Sequence, residues 1–226
     1  MYIVCADMEG IFTPEIWINV AERTGIMELR LTTRDISDYD ELMTKRLGIL
    51  DQHGLKLQDI QAVISKMEPL DGALDFLNWL RSHLQLIIVS DTYVEFAGPL
   101  LEKMGWPTLF CNTLSVAANG SISGYNLRQN DGKMKVAIAL QNLNYKVIAI
   151  GDSYNDITML RAADKAILFR PPENVEAELI EDSPFAPAHP GARIRGVPAH
   201  AGADRRAEVL RYARRPLPGH RVYRRD

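Results

Sequence analysis

Two acidic residues one position apart follow the first apolar segment of the chain. The run Ile3–Ala6 predicts a short buried strand, and Asp7-Met8-Glu9-Gly10 follows it directly. A carboxylate at the carboxyl end of a parallel strand faces the crevice where open α/β sheets bind ligands. Asp7 could attack there as a nucleophile while Glu9 donates or removes a proton. The alternative for Asp7 and Glu9 is an ordinary turn after a strand.

Polar residues also follow two later apolar runs. Ser90-Asp91-Thr92 comes after Leu84–Val89, and Gly151-Asp152-Ser153-Tyr154-Asn155-Asp156 comes after Lys146–Ile150. Between these two segments, Lys133 opens a helical pattern. Because the carboxyl ends of parallel strands meet at one edge of a sheet, all of these side chains are expected near Asp7.

Each of these residues also has a purely structural interpretation. Ser90 could be an ordinary helix N-cap, and Lys133 could be a solvated surface lysine. Asp152 and Asp156 could simply place negative charge in the first turn of a helix. The joint pattern favours a functional site, because it contains every part that phosphoryl transfer requires.

In that interpretation, Mg²⁺ takes hard oxygen ligands from Asp7, Asp152 and the main-chain carbonyl of Glu9. Lys133 offsets the repulsion between Asp7 and a phosphate dianion. Ser90 and its neighbouring backbone N–H groups, expected at a helix N-terminus, hold phosphate oxygens. Glu9 protonates the leaving alkoxide and then activates the acceptor of the phosphoryl group.

The four motifs, in this order, resemble those of the haloacid dehalogenase superfamily of aspartyl-phosphate enzymes. The resemblance implies an α/β fold with a Rossmann-like parallel-sheet core, a phosphorylated Asp7 intermediate and Mg²⁺ as cofactor. It also implies roles for residues beyond the nucleophile, the acid and the metal ligands. These are substrate binding by Ser90, Asp91, Lys133 and Asn155, and support of the site by Asp156.

Residues 14–69 contain helical patterns and no strand pattern, which predicts an all-helical cap inserted after the first strand. The helices are predicted over Ile16–Thr24, with Thr13 as cap and Pro14 at the first position, and then over Asp40–Leu50 and Leu57–Met67. The remaining core is assigned to residues 1–13 and 70–183.

This insertion resembles the cap of the phosphoserine phosphatase branch. The resemblance implies that Glu15 binds the ammonium group of the substrate and that Arg46 binds its carboxylate. An acid for an ammonium and an arginine fork for a carboxylate is also the expected chemistry. Surface charges on amphipathic helices are the alternative for both residues.

Two features are similar to the bifunctional phosphoserine phosphatase/homoserine phosphotransferase group. Glu9 stands where ordinary phosphoserine phosphatases carry aspartate, and Ser90 is followed by Asp91-Thr92 where they typically carry glycines. The resemblance implies phosphoserine hydrolysis, with homoserine as a second phosphoryl acceptor. The rivals are another phosphomonoesterase of the superfamily and a non-catalytic Asp/Mg²⁺ phospho-acceptor domain. A receiver of that last kind needs neither a general acid nor a lid.

The composition of the chain indicates where the protein is located and which kinds of partner it has. The chain has 226 residues, 46% of them hydrophobic, and neither a membrane-spanning run nor a secretory leader is predicted. Cys5 and Cys111 lie in apolar, strand-like surroundings and are interpreted as buried thiols in a reducing compartment. We therefore expect a cytoplasmic protein, and the resemblance implies an enzyme of serine and threonine biosynthesis with small-molecule substrates and neither nucleic-acid nor membrane partners. A homodimer is left open.

The last part of the sequence differs in character from the rest. Residues 1–183 carry 16 Lys and Arg against 26 acids, whereas residues 184–226 carry 10 Arg, no Lys and 3 acids. Lys165–Phe169 is the last strand predicted. A tail rich in Arg, Pro and Ala is typical of a frame-shifted reading of GC-rich DNA or of a disordered segment. A basic arm for acidic partners is the alternative.

Overall fold

A computed structural model gives the fold of the chain. It describes residues 1–33, 35–36 and 38–170, together with the backbone of two later strands. The strands of the described residues are β1 Tyr2–Ala6, β2 Gln85–Tyr93, β3 Leu109–Val116, β4 Ile122–Asn126, β5 Lys146–Gly151, β6 Lys165–Phe169, β7 Phe185–His189 and β8 Ala192–Arg195. They form one sheet in the order β4-β3-β2-β1-β5-β6-β8-β7.

Strand β1 lies at the centre of a parallel block. It pairs in parallel with β2 on one side and with β5 on the other, and β2–β3 and β5–β6 are also parallel. The segments ending these strands, which carry Asp7, Ser90 and Asp152, therefore meet at one edge of the sheet. The predicted Rossmann-like α/β core is confirmed.

Helices cover both faces of this sheet. They are α1 Ile16–Thr24, α2 Tyr39–Gln52, α3 Leu57–Ile64, α4 Ala73–His83, α5 Val94–Lys103, α6 Gly132–Asn142 and α7 Ile157–Ala162. Alternate residues of β1 face opposite ways: Val4 and Ala6 pack into one apolar cluster, and Ile3 and Cys5 pack into the other. A strand buried on both faces has to be apolar throughout, as β1 is.

Helices α1, α2 and α3 lie between β1 and α4 in the chain, with a 3₁₀ turn at Met27–Arg30. Several contacts tie them to the rest of the fold, and two lie at the ends of α3. The Leu57 N–H donates to the Gly120 carbonyl at 2.9 Å, in the turn between β3 and β4. The Lys103 ammonium donates to the carbonyls of Ser65 and Met67 at 2.9 and 2.6 Å.

Three local predictions are wrong. Helix α1 begins at Ile16 and not at Pro14, and Thr13 does not cap it, because its first N–H is taken by the Glu9 carboxylate. Ser90 is not at a helix N-terminus, because β2 runs on to Tyr93 and α5 begins only at Val94. Lys165–Phe169 is not the last strand, since β7 and β8 add an antiparallel pair beyond it.

The remaining predictions concern the β3–β4 hairpin, the two cysteines and the C-terminal tail. The alternation of Leu114–Leu127 around Asn119-Gly120 predicts a β-hairpin, and β3 and β4 form it, with Gly120 in the left-handed region at φ 85°. Cys5 and Cys111 are free thiols. Cys5 is buried as predicted, which raises its pKa to about 12, but Cys111 is only half-buried. Apart from β7 and β8, the predicted tail at 184–226 lies outside the described residues.

Candidate active site

The site begins with Asp7, which directly follows β1 and is 4% exposed. Its N–H donates to the Ile150 carbonyl of β5 at 2.9 Å, so the neighbouring strand fixes its backbone. One carboxylate oxygen, Oδ1, accepts the Met8 N–H at 2.7 Å, and the other, Oδ2, lies 2.9 Å from the Lys133 ammonium. Strand pairing and these two contacts hold the carboxylate in one orientation.

Lys133 lies in the first turn of α6 and is 3% exposed, so the surface-lysine interpretation is excluded. Its ammonium contacts the carboxylates of three different segments: Asp156 at 2.8 Å, Asp7 at 2.9 Å and Asp91 at 3.5 Å. One buried cation thus joins the ends of β1, β2 and β5. Burial lowers the pKa of Lys133, but the charges of Asp156, Asp7 and Asp91 outweigh it and hold the pKa well above its ordinary value.

Asp156 is fully buried and has both carboxylate oxygens occupied. Oδ1 pairs with Lys133, and Oδ2 accepts the N–H groups of Asp152 and Ser153 at 3.0 and 3.2 Å. The same carboxylate therefore fixes the Lys133 ammonium and shapes the loop that carries Asp152. The side chain also packs against Gly151, where an added Cβ would lie 2.4 Å from the Asp156 Cβ.

Carboxylate oxygens of Asp7, Asp152 and Asp156 lie within 4.8 Å of one another. These hard oxygen donors fit Mg²⁺. Gly10, at φ 78°, makes room for them, because a Cβ there would lie 2.2 Å from Asp152 Oδ2. Asp7 and Asp152 line the site cavity and Asp156 does not, so Asp7 and Asp152 are the two carboxylates that would hold the ion.

The electrostatics of Asp7 also fit a cation. Burial and the charge of Asp156 raise its pKa well above the ordinary value, and Lys133 only partly opposes this. One lysine does not balance the negative charge gathered here, and a divalent cation would supply the missing compensation.

Glu9 lies two residues beyond Asp7, at the start of α1. Its Oε2 accepts the Ile16 N–H at 2.7 Å, so the carboxylate caps the first helix of the insertion. Burial and the charge of Glu15 raise the pKa of Glu9 to about 8, the Ile16 N–H opposes the rise, and a hydrogen bond with Glu15 adds to it. A carboxyl group with this pKa is mostly protonated at neutral pH.

A cavity of about 390 Å³ brings together residues of the sheet edge and of the helical insertion. This volume lies in the usual range for small-molecule sites, about 300–1,000 Å³. Nearly all of the sequence-predicted site residues line it. They are Asp7, Glu9, Glu15, Arg46, Ser90, Asp91, Asp152 and Asn155. Lys133 and Asp156 lie behind this wall, in contact with each other.

Arg46 is 7% exposed, so it is not a surface charge as the alternative required. Its guanidinium lies 4.6 Å from the centre of the Trp17 ring and donates through Nη2 to the Leu31 carbonyl at 2.7 Å. Among the described residues its buried Nε has no hydrogen-bond partner. Burial lowers the pKa of Arg46. A buried donor without a partner is costly, and an anionic ligand would satisfy it.

Ser90 is buried, and its hydroxyl oxygen accepts the Thr92 N–H at 3.2 Å. Asp91 is partly exposed and contacts Lys133 as well as the side-chain amide of Asn155, which donates to it at 2.9 Å. Asp91 and Asn155 thus bind each other in this structure and close one side of the cavity.

Sequence reasoning missed several residues of this region, among them three aromatic residues and one amide. Trp17, Tyr39 and Tyr93 line the cavity, and Asn112 holds the Ser90 segment from behind. The two tyrosine hydroxyls lie 2.7 Å apart, which joins α2 to the end of β2. Helical periodicity identified Trp17 as apolar, but no local signal distinguishes an aromatic cavity wall from core.

Known proteins resemble this chain in sequence and in fold. The family model of haloacid dehalogenase-like hydrolases matches residues 12–164. The match covers more than half of the chain, which therefore belongs to this family of hydrolases. The matched range includes Ser90, Lys133 and Asp152 and begins after Asp7 and Glu9.

Two curated relatives are identical to this chain at about half of the aligned positions. Phosphoserine phosphatase ThrH of Pseudomonas aeruginosa is 49% identical over 217 residues, which are 96% of this chain and 99% of the relative. A phosphoserine phosphatase of Pseudomonas syringae pv. tomato is 54% identical over 176 residues, which are 78% of this chain and 74% of the relative. The first alignment extends past residue 184.

Solved structures show the same fold at low identity. A substrate-bound phosphoserine phosphatase complex matches with a TM-score of 0.65 at 17% identity, covering 78% of this chain and 90% of that one. An apo phosphoserine phosphatase matches with a TM-score of 0.64 at 18% identity, covering 80% and 98%.

Proposed function

We propose that the protein is a phosphoserine phosphatase that can also pass the phosphoryl group to homoserine. The observation that carries this proposal is the convergence on one cavity of a buried Asp7 held by Lys133, a Glu9 two residues away, and the buried Arg46. The high identity to two relatives named as phosphoserine phosphatases supports it.

In the first half-reaction, a carboxylate oxygen of Asp7 attacks phosphorus and the bond from phosphorus to the serine oxygen breaks. Glu9 donates its proton to the leaving alkoxide, which departs as serine. Ser90 holds phosphoryl oxygens, over which charge spreads in the transition state, and Lys133 behind the cavity wall offsets the repulsion between Asp7 and the phosphate. The products are serine and a phosphorylated Asp7.

In the second half-reaction, the Glu9 carboxylate takes a proton from the attacking hydroxyl group. The oxygen of that group bonds to phosphorus, the bond to Asp7 breaks, and the Asp7 carboxylate is regenerated. Water as acceptor gives inorganic phosphate, and homoserine as acceptor gives phosphohomoserine. Glu9 ends the cycle protonated, as it began.

Asp7, Asp152 and the main-chain carbonyl of Glu9 would hold Mg²⁺. A bound Mg²⁺ would neutralise phosphate charge and position its oxygens. The support for this ion is the set of close carboxylates that Lys133 alone does not neutralise.

Glu15 and Arg46 would recognise the amino-acid part of the substrate. Glu15 lines the cavity at the start of α1 and would accept the ammonium group. The guanidinium of Arg46 would bind the carboxylate and give its buried Nε a partner. Since serine and homoserine share both groups, one pair of residues would serve donor and acceptor alike.

The decisive experiment measures phosphate release from L-phosphoserine with Mg²⁺, with and without homoserine, in the wild type and in Asp7→Asn. We expect release by the wild type, phosphohomoserine when homoserine is added, and a loss of at least 10³-fold in Asp7→Asn. Release without transfer would leave a plain phosphatase. A folded wild type without any release would contradict the proposal.

The proposal also covers the location, the pathway and the assembly of the protein. We propose that the protein works in cytoplasmic serine and threonine biosynthesis, with a homodimer left open as its assembly. In the described part of the chain, no helix combines the length and apolarity that crossing a membrane requires. Size-exclusion chromatography with light scattering would test the assembly.

A further inference from the structure

Strand β2 leaves its partner β3 where the Ser90 segment begins. Val89 pairs with Phe110, and the next pair is Tyr93 with Asn112. Three residues of β2 therefore lie opposite one residue of β3, which is a β-bulge at the edge that binds phosphate in the proposed function. Bulges of this kind re-aim groups next to active sites, and they leave backbone groups that need other partners.

The side chain of Asn112 supplies one of those partners. It is 7% exposed, and its Nδ2 donates to the Asp91 carbonyl at 3.2 Å. Its Oδ1 accepts the Arg128 N–H at 3.0 Å. One amide thus joins the bulge to the loop that leads into α6, which carries Lys133. Asn112 is not among the described residues that line the substrate cavity.

The contact to Asp91 determines what the Ser90 hydroxyl can do. The Asp91 carbonyl and the Thr92 N–H belong to one planar trans peptide, so they point in opposite directions. Holding the carbonyl at Asn112 turns the N–H away from it, and that N–H donates to the Ser90 oxygen at 3.2 Å. With its oxygen accepting from Thr92, the hydroxyl keeps its own hydrogen for a phosphate oxygen.

We propose that Asn112 is a positioning residue for phosphate binding, which acts through the Asp91–Thr92 peptide on the Ser90 hydroxyl. The proposal rests on the proposed function in that Ser90 is taken as a phosphate ligand. It adds a residue that touches neither substrate nor metal, and it explains why an amide is buried there: both a donor and an acceptor are needed.

A double-mutant cycle between Asn112→Ala and Ser90→Ala tests this role. The readouts are kcat/KM for phosphoserine and the affinity for inorganic phosphate, measured by thermal shift. Alone, Asn112→Ala should lower both about tenfold, and Ser90→Ala should lower both by more. In the Ser90→Ala background, the Asn112 substitution should have almost no further effect, because the hydroxyl it orients is gone.

Asn126→Ala is the matched control. Asn126 lies on the neighbouring strand β4, and its amide donates to the Ser115 hydroxyl at 3.0 Å on the exposed side of the hairpin. This variant should keep both readouts. If Asn112→Ala does not melt cooperatively, the double-mutant cycle is repeated with Asn112→Ser, whose side chain is polar but too short to reach both partners.

Equal, additive losses in both backgrounds would overturn the proposal, because a merely structural role does not depend on Ser90. Unchanged phosphate affinity in Asn112→Ala and Asn112→Ser would overturn it as well. If the wild type binds phosphate but does not turn over phosphoserine, the proposed function is wrong. The double-mutant cycle measured by phosphate affinity would still decide the role of Asn112.

Discussion

At the scale of single residues, the site depends on charges that are buried together. Lys133 contacts three carboxylates, and Asp156 both binds this lysine and shapes the Asp152 loop. Residues with several partners of this kind are expected to affect stability and activity at once.

Asp156→Asn tests this dependence. Removing one carboxylate from a buried ion pair should lower the free energy of unfolding by about 3 kcal/mol, and the displaced Lys133 should lower kcat. Urea denaturation and phosphate release measure the two effects. The double variant with Lys133→Met should lose less stability than the sum of the single losses. Additive losses would show that the two side chains do not depend on each other.

Glu9→Asp tests the choice of acceptor. A shorter side chain cannot reach both the cavity and the Ile16 N–H, so the acid should shift and the ratio of homoserine transfer to hydrolysis should change. Quantifying phosphohomoserine and phosphate in one reaction gives the ratio. An identical ratio in both proteins would show that Glu9 does not select the acceptor.

Glu9 and Arg46 also mark what the sequence could and could not predict. Spacing placed Asp7, Glu9 and Asp152 at strand ends because parallel strands have one carboxyl edge. The capping of α1 by Glu9 was missed, because Thr13-Pro14 fits a local cap and the actual acceptor lies seven residues before Ile16. The stacking of Arg46 on Trp17 and the role of Asn112 depend on tertiary contacts with no periodic signal.

At the scale of elements, the β3–β4 turn holds the helical insertion through Gly120. This residue has φ 85°, and its carbonyl accepts the Leu57 N–H. Gly120→Ala should lower the free energy of unfolding by about 1 kcal/mol, because alanine resists that conformation and its Cβ would lie 2.8 Å from Gln58 Oε1.

Gly48→Ala is the matched control for that prediction. Gly48 lies inside α2 with nothing within 4 Å of the added Cβ, so alanine should stabilise the protein by about 0.5–1 kcal/mol. If the backbone conformation of each glycine determines the effect, chemical denaturation will show a lower free energy of unfolding for Gly120→Ala and a higher one for Gly48→Ala. The same sign for both would refute the argument.

Asp164 joins elements at the opposite edge of the sheet. Burial raises its pKa, but hydrogen bonds from the Val147 N–H and Gln141 and the contact with Lys146 lower it more, so the net pKa lies below the ordinary value. A depressed carboxyl pKa contributes stability above the unfolded-state pKa, about 3.9, and this contribution is lost as pH falls through the folded-state value.

Asp164→Asn should therefore destabilise the protein by about 1 kcal/mol at pH 7. The difference from the wild type should shrink as the pH falls below about 4. Thermal melts from pH 7 to pH 3 measure it. A difference that stays constant over this range would show that the charge of Asp164 is irrelevant.

At the scale of the whole molecule, the proposed Mg²⁺ site would link metal binding to folding. Because the carboxylate cluster exists only in the folded state, Mg²⁺ should raise Tm, and EDTA should reverse the rise. Asp152→Asn should melt without this Mg²⁺ dependence, whereas Asp164→Asn should retain it. An equal response of both variants to Mg²⁺ would contradict the assignment of the metal ligands.

The parallel strands of the sheet were more predictable from the sequence than the two strands that follow Phe169. Continuous apolar runs identified the parallel strands up to Phe169, because strands covered on both faces carry a strong signal. The antiparallel pair β7–β8 was missed, since Phe185–His189 contains a proline and Ala192–Arg195 is short and basic. The frame-shift interpretation of residues 184–226 stays a prediction.

The stacking of Arg46 on Trp17 also gives the protein an optical reporter. The chain has three tryptophans, of which Trp17 lines the cavity, Trp79 stacks on His83 and Trp106 is 64% exposed. A carboxylate arriving at Arg46 would change the electric field across the Trp17 indole and shift its emission. With Trp79 and Trp106 replaced by phenylalanine, the remaining fluorescence would follow ligand entry in real time, before any bond to phosphorus breaks.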